Sequence, residues 1–120
     1  MGIEQAWAAG FFDGEGSCNL NKTDRFHRGL QITIQQNDPE VLKRFHMAVG
    51  GAGRVCGPYQ RKRPGTNPFW AYQCSEVKEC QAVIRVLTPY LSSPKLRQIN
   101  AMLSAYADYK EQLKAGTWVA

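Results

Sequence analysis

The sequence lacks the features of a membrane protein, of a secreted protein and of a protein folded around a structural metal. No apolar run approaches the ~20 residues of a transmembrane helix, and the N-terminus has no basic segment followed by an apolar one. There are 4 cysteines and 2 histidines, but no CxxC pair and no zinc-finger spacing. We therefore expect an intracellular protein with reduced, partly buried thiols. The sequence is compatible both with a bacterial cytoplasm and with an organelle such as a chloroplast or mitochondrion, and it does not determine the compartment.

Acidic residues are scarce in the middle of the chain. Between Gly16 and Ser75 there are nine basic and three acidic residues, whereas the remainder has six basic and seven acidic residues. The whole positive excess behind the net charge of +5 therefore lies in this middle segment. This asymmetry indicates an anionic partner, and nucleic acid is the leading candidate.

A segment near the N-terminus, AAGFFDGEGS at residues 8–17, has two glycines within an otherwise apolar helical pattern. Each glycine costs a helix about 1 kcal/mol relative to alanine. Residues four apart share a helical face, so Ala6, Gly10 and Gly14 form a stripe with almost no side chains. Such a stripe indicates that another helix packs closely against this one.

Two carboxylates, Asp13 and Glu15, lie at the predicted C-terminal end of this helix. The helix dipole places partial negative charge there, so acidic residues at this end are unfavourable unless a cation joins them. Both residues are therefore candidates for a divalent metal site, and their hard oxygen atoms suit Mg²⁺. The alternative is a polar helix end exposed to solvent.

Two segments, 17–23 and 30–36, alternate polar and apolar residues with the period of half-buried strands, and residues 24–29 are predicted to be the loop between them. The outward side chains are mostly amides and hydroxyls, which can form hydrogen bonds with base edges. The predicted DNA-binding residues of this strand pair and its loop are Asn19, Asn21, Thr23, Arg25, Arg28, Gln31, Thr33 and Gln35.

A second strand pair is predicted at residues 54–58 and 69–74. The loop between these strands is long and basic, and loops of this length are uncommon unless they are functional. Its Arg61, Lys62 and Arg63 are predicted to contact phosphates. Arg54 and Gln73 of the strands are also predicted to bind DNA.

Helical periodicity and capping residues predict three further helices. The first begins at Asp38 and Pro39, the second is capped by Ser75, and the third begins at Ser93 and ends at Gly116. The order is αββαββα with one additional helix. It predicts a single α+β domain at residues 1–116, with helices on one face of a four-stranded antiparallel sheet and a flexible tail at residues 117–120.

The segment AAGFFDGEGS resembles the defining motif of the LAGLIDADG homing endonucleases, whose common variant is LAGFxDGEGS; Ala8 stands where that family usually has leucine. The element order agrees with that family's fold, in which the sheet is saddle-shaped. The resemblance implies an intron-encoded endonuclease that binds a long pseudo-palindromic DNA site in the major groove. It further implies hydrolysis of both strands across the minor groove with Mg²⁺, in a site that Mn²⁺ or Ca²⁺ can also occupy.

The resemblance also implies specific roles for residues near the motif. Glu15 would be the essential metal ligand, assisted by the carbonyl of Gly14. Gln36 would order water in the active site. Lys95 would stabilise charge on the scissile phosphate, with Arg97 as the alternative.

The family packs two motif helices against each other, and this chain contains the motif once. The resemblance therefore implies a homodimer. Its interface would include Ala6, Ala9, Gly10, Asp13 and Gly14.

Two other functions stay open at this point. A relative that has lost cleavage could act as an intron RNA maturase or as a DNA-binding regulator. A plain protein-binding dimer would leave the amide-rich strand faces and the basic segment without a purpose.

Overall fold

The computed structural model describes residues 2–24 and 27–115, and within those ranges it leaves the side chains of residues 21–24, 27, 28 and 115 undescribed. None of the described helices is long and apolar enough to cross a membrane. The predicted tail at residues 117–120 and the predicted helix end at Gly116 lie outside the described residues. The elements are α1 (Ile3–Glu15), β1 (Gly16–Asp24), β2 (His27–Gln36), α2 (Pro39–Ala48), β3 (Arg54–Tyr59), β4 (Phe69–Cys74), α3 (Val77–Leu87) and α4 (Ser93–Ala115), with a 3₁₀ turn at Thr88–Tyr90.

The four strands form one antiparallel sheet in the order β1-β2-β4-β3. This architecture confirms the predicted α+β fold with a four-stranded antiparallel sheet. The predicted loop at residues 24–29 is too long, because Asn21 pairs with Gly29 and Lys22 with Arg28. These residues lack the apolar alternation of a half-buried strand. These residues extend the pairing of β1 with β2 beyond the core, where backbone hydrogen bonds alone define the strands.

The inner face of the sheet is apolar and covered by the helices. Leu30, Ile32 and Ile34 of β2 are 1% exposed, and Tyr72 of β4 is fully buried. Phe45 of α2 packs edge-on against Tyr72, with ring centroids 4.9 Å apart, and α1 adds Phe12 to the same cluster. The period-two alternation of β2 is thus the signal that separates the core face from the open face.

The starts of α2 and α3 are capped by side chains. Asp38 accepts a hydrogen bond from the Glu40 amide at 2.9 Å, as predicted for the start of α2. For α3 the predicted cap, Ser75, is wrong: Glu76 accepts from the amides of Lys78 and Glu79, both at 3.1 Å. A glutamate has two oxygens on a longer side chain, so it can satisfy two unpaired amides at once.

The four cysteines are free, and they are buried or half-buried. The Cys80 thiol donates to the Cys74 sulfur at 3.6 Å, and this hydrogen bond together with burial raises the pKa of Cys80. Burial likewise raises the pKa of Cys18. These thiols therefore belong to the packing of the domain rather than to its reactive surface.

Candidate active site and nucleic-acid interface

The C-terminal end of α1 brings together two of the predicted catalytic residues. Glu15 is the last residue of α1 and Gln36 is the last residue of β2. Because Gly16 pairs with Ile34, the end of β2 lies beside the end of α1. The Gln36 amide Nε2 donates to Glu15 Oε2 at 3.1 Å, while Glu15 stays exposed. This places an available carboxylate with a defined orientation at the end of the motif helix.

Lys95, the third predicted catalytic residue, reaches the same end of α1 from the first turn of α4. Its ammonium donates to the Gly16 carbonyl at 2.7 Å and to Gln98 Oε1 at 3.3 Å, and the residue is 8% exposed. Arg97 is exposed, and residues two apart on a helix point in nearly opposite directions. The geometry therefore places Lys95, not Arg97, next to the residue that follows Glu15.

Asp13 has a partner within its own chain. Ser92, just before α4, donates its amide to Asp13 Oδ1 at 3.2 Å and Oδ2 at 3.1 Å, and its hydroxyl donates to Oδ1 at 2.8 Å. The carboxylate thus lies at the positive end of the α4 dipole. The sequence suggested Asp13 for a metal site or for the contact between two chains. Within one chain, the favourable charge beside Asp13 comes from the N-terminus of α4, and its place at a contact between two chains stays a prediction.

The exposed face of α1 is almost bare of side chains. Ala6, Gly10 and Gly14 are exposed, and a Cβ atom added at either glycine would meet no atom within 4 Å. Ile3 lies on the same face by helical spacing and is 85% exposed. Ala9, which the sequence also placed at this interface, is fully buried in the core of its own domain. Ala9 therefore does not belong to the open face.

The donor set at the end of α1 fits a hard divalent cation. Glu15 supplies carboxylate oxygens, and the carbonyl of Gly14 lies in the last helical turn, where carbonyls have no partner within the helix. Within residues 2–24 and 27–115, no group of three or more His, Cys, Asp or Glu residues could hold a metal. At this end of α1, Ser92 binds the Asp13 carboxylate, and the Glu15 carboxylate is exposed and accepts a hydrogen bond from Gln36.

The open face of the sheet is lined by the predicted amide and hydroxyl side chains in cross-strand rows. Asn19 of β1 lies opposite Gln31 of β2. In a second row, Gln73 of β4 lies between Thr33 of β2 and Arg54 of β3. Arg54 Nη2 donates to Gln73 Oε1 at 3.3 Å. The predicted DNA-binding residue Arg25 and the side chains of Asn21, Thr23 and Arg28 lie outside the described part of the chain.

A depression of about 250 Å³ connects this open face to the end of α1. It is lined by Glu15, Ser17, Thr33 and Gln35. Ser17 was not among the predicted DNA-binding residues, although the alternation of β1 places it on the same face as Asn19. The carboxylate and the polar sheet surface thus form one continuous surface.

The loop between β3 and β4 presents the exposed basic residues Arg61, Lys62 and Arg63 at the edge of the sheet, and Arg61 has an aromatic partner. Its guanidinium carbon lies 4.5 Å from the ring centroid of Phe69, which contacts Tyr59 with centroids 5.4 Å apart. Phe69 shares the face of Gln73 by strand alternation. This cation–π contact holds Arg61 over the open face, and charge composition alone did not predict it.

Comparison with solved structures confirms the resemblance that the motif indicated. The chain superposes on the LAGLIDADG meganuclease I-AabMI bound to uncleaved DNA, with a TM-score of 0.73 and 23% identity over 95% of this chain. It also superposes on the intron-encoded homing endonuclease I-CeuI in complex with DNA, with a TM-score of 0.67 and 18% identity over 93% of this chain. The chain has the LAGLIDADG homing endonuclease fold.

The relatives with this fold are longer than the matched region. The chain spans 40% of I-AabMI and 57% of I-CeuI. A curated protein, the intron-encoded DNA endonuclease ai2b of Dictyostelium discoideum, is 35% identical over 52 residues, which are 42% of this chain and 20% of that protein. No family model matches the sequence.

Proposed function

We propose that this chain is a metal-dependent, site-specific DNA endonuclease that acts as a homodimer. The observation behind the proposal is the position of Glu15: its exposed carboxylate is oriented by Gln36, beside a bare helix face and next to a polar sheet surface. Two solved structures with this fold support it, since I-AabMI and I-CeuI are both in complex with DNA.

In this proposal, Glu15 and the Gly14 carbonyl hold the divalent cation, with Mg²⁺ as the working ion and Mn²⁺ or Ca²⁺ as ions that can take its place. A bound cation would activate the attacking water and stabilise the leaving 3′ oxygen. The related enzyme I-CvuI was solved with DNA in the presence of Ca in one structure and of Mg in another.

The neighbouring side chains orient the reacting groups. Gln36 fixes the Glu15 carboxylate through the 3.1 Å hydrogen bond and has further hydrogen-bonding capacity for water. Lys95 places a positive charge beside Gly16, the residue that follows α1. This charge would stabilise the negative charge that develops on the scissile phosphate during hydrolysis. Neither side chain needs a proton transfer to do this.

The homodimer is inferred from two features of α1: the open face at Gly10 and Gly14, and the exposed Glu15 carboxylate at its end. Gly10 and Gly14 are not required by packing within the chain, because a Cβ atom at either would meet open space. A second α1 packed on this face would bring two Glu15 residues to one centre. The dimer would have two-fold symmetry and would recognise a long pseudo-palindromic site.

The sheet would bind the major groove. Its open face offers Asn19, Gln31, Thr33, Gln35 and Gln73, which can donate to and accept from base edges. Arg61, held over this face by Phe69, is in position to contact a base or a phosphate. Lys62 and Arg63 are exposed on the loop and would contact phosphates.

Substitution of Lys62 by alanine is expected to weaken binding to every DNA sequence by a similar factor. If Lys62 neutralises one phosphate, the slope of log K against log salt concentration should become shallower by about 0.9 per site, hence by about 1.8 for a dimer. Fluorescence anisotropy over a salt series, with Ca²⁺ in place of Mg²⁺, measures this slope. Lys43→Ala on α2 is the matched control, because Lys43 pairs with Glu40 away from the sheet.

The proposal is tested by cleavage. Purified protein should cut both strands of DNA that spans the insertion site of its own gene, in the presence of Mg²⁺ and not in EDTA. Binding to that DNA without cleavage in Mg²⁺ or Mn²⁺ would point to a DNA-binding regulator. Preference for the surrounding intron RNA over the DNA would point to a maturase, and either result would contradict the proposed endonuclease.

A further inference from the structure

Two contacts join the end of α1 to the start of α4, and the two residues of each contact are the same distance apart in the sequence. Asp13 binds Ser92, and the Gly16 carbonyl binds Lys95. Each pair is separated by 79 positions in the sequence. The first contact uses the backbone amide and the hydroxyl of Ser92, so it fixes the position of the α4 N-terminus itself. The second contact depends on where that N-terminus lies.

We propose that Asp13 is a positioning residue for the cleavage reaction: through Ser92 it sets the start of α4 and thereby holds the Lys95 ammonium beside the end of the motif helix. This inference rests on the proposed function and extends it to a residue that would touch neither DNA nor metal. It assigns the two motif carboxylates to different tasks, Glu15 to the metal and Asp13 to the geometry of Lys95.

The burial of Lys95 explains why its position would be sensitive to Asp13. The residue is 8% exposed, and its ammonium lies 5.4 Å from the Phe12 ring. The described acceptors of its hydrogen bonds are a carbonyl and an amide oxygen, both neutral. A buried ammonium held by neutral groups is kept in place by the surrounding packing, so a shift of the first turn of α4 would move the charge.

A double-mutant cycle tests the proposal. Asp13→Asn should lower the single-turnover cleavage rate in Mg²⁺ by about tenfold, since small misplacement of a charged group is costly to catalysis. DNA affinity in Ca²⁺ should not change. In a Lys95→Met background, Asp13→Asn should lower the rate less than twofold, because the group it positions is gone. The loss of thermal stability should be the same in both backgrounds.

Variants of two other residues separate positioning from simple helix capping. Ser92→Thr keeps the hydroxyl and should retain most of the rate, whereas Ser92→Ala should lower it. Glu76→Gln is the matched control, because Glu76 caps α3 by accepting from two amides at 3.1 Å. It should reduce thermal stability without changing the cleavage rate. An equal rate loss for Asp13→Asn with and without Lys95 would overturn the proposal.

A readout that does not depend on cleavage distinguishes failure of this inference from failure of the proposed function. Acylation of lysine amines by an N-hydroxysuccinimide ester, followed by mass spectrometry, reports the accessibility of each lysine. Asp13→Asn should raise the acylation rate of Lys95 severalfold and leave that of the exposed Lys43 unchanged. If the wild type cuts no DNA but Lys95 becomes reactive, the proposed function fails and the positioning contact stands. An unchanged rate at Lys95 would refute the positioning role.

Discussion

Replacement of Glu15 by glutamine is expected to abolish DNA cleavage, with a rate loss of about a thousandfold or more. Glutamine has nearly the same shape, so the hydrogen bond from Gln36 and the local backbone should survive. The loss of the negative charge removes the ligand that holds the cation. Metal stabilisation of the transition state is worth several kcal/mol, and ~4 kcal/mol corresponds to about a thousandfold in rate.

The measurement is single-turnover cleavage of the insertion-site DNA in Mg²⁺, together with DNA affinity from anisotropy. Affinity in EDTA should not fall, because removal of a negative charge beside DNA does not weaken binding to phosphates. Glu4→Gln is the matched control on the same helix, where Glu4 pairs with Arg44 at the opposite end. This control should cut at the wild-type rate. Wild-type cleavage by the Glu15→Gln variant would refute the catalytic assignment.

Replacement of Gly10 by leucine is expected to separate the proposed dimer while stabilising the single chain. Within the chain, a side chain at this position meets open space, and leucine favours a helix over glycine by about 0.8 kcal/mol. In a dimer packed on this face, the added side chain would enter the contact twice. Overpacking costs about 1–3 kcal/mol per site, hence at least about 2 kcal/mol for the two sites, so the dimer dissociation constant should rise by about 30-fold or more.

Sedimentation equilibrium measures the dissociation constant, and thermal denaturation at low concentration measures the stability of the chain. Ala107→Leu on α4 is the control, because Ala107 is also an exposed helical residue and lies outside α1. It should leave the dissociation constant unchanged. A Gly10→Leu protein that stays dimeric, or a monomeric wild type that cuts both strands at dilute concentration, would contradict a shared metal centre.

Much of the fold could be predicted from the sequence because local signals agree with it. The alternation of Leu30, Ile32 and Ile34 identified the core face of β2, and all three are buried. Asp38 before Pro39 identified the start of α2. The element order and the strand pairs followed from such patterns, since periodicity records which face of each element is buried.

Predictions about single residues were weaker where two local solutions compete. Ser75 and Glu76 could both cap α3, and the longer side chain forms the observed hydrogen bonds. The end of β1 and the start of β2 carry polar residues typical of a loop, yet these two segments pair as strands. In both cases the sequence pattern was consistent with either outcome, and the backbone path decided between them.

For the motif helix, the sequence by itself determined the bare glycine face and the presence of two carboxylates near its end. Only the tertiary structure separated those carboxylates, because the partner of Asp13 is Ser92, 79 positions away. It also placed Ala9 in the core although Gly10, the next residue, is exposed. Helical spacing defines which residues share a face, but the rotation of a helix about its axis is set by the surfaces that pack against it. That rotation turned Gly10 and Gly14 outward and left Glu15 as the exposed carboxylate at the end of α1.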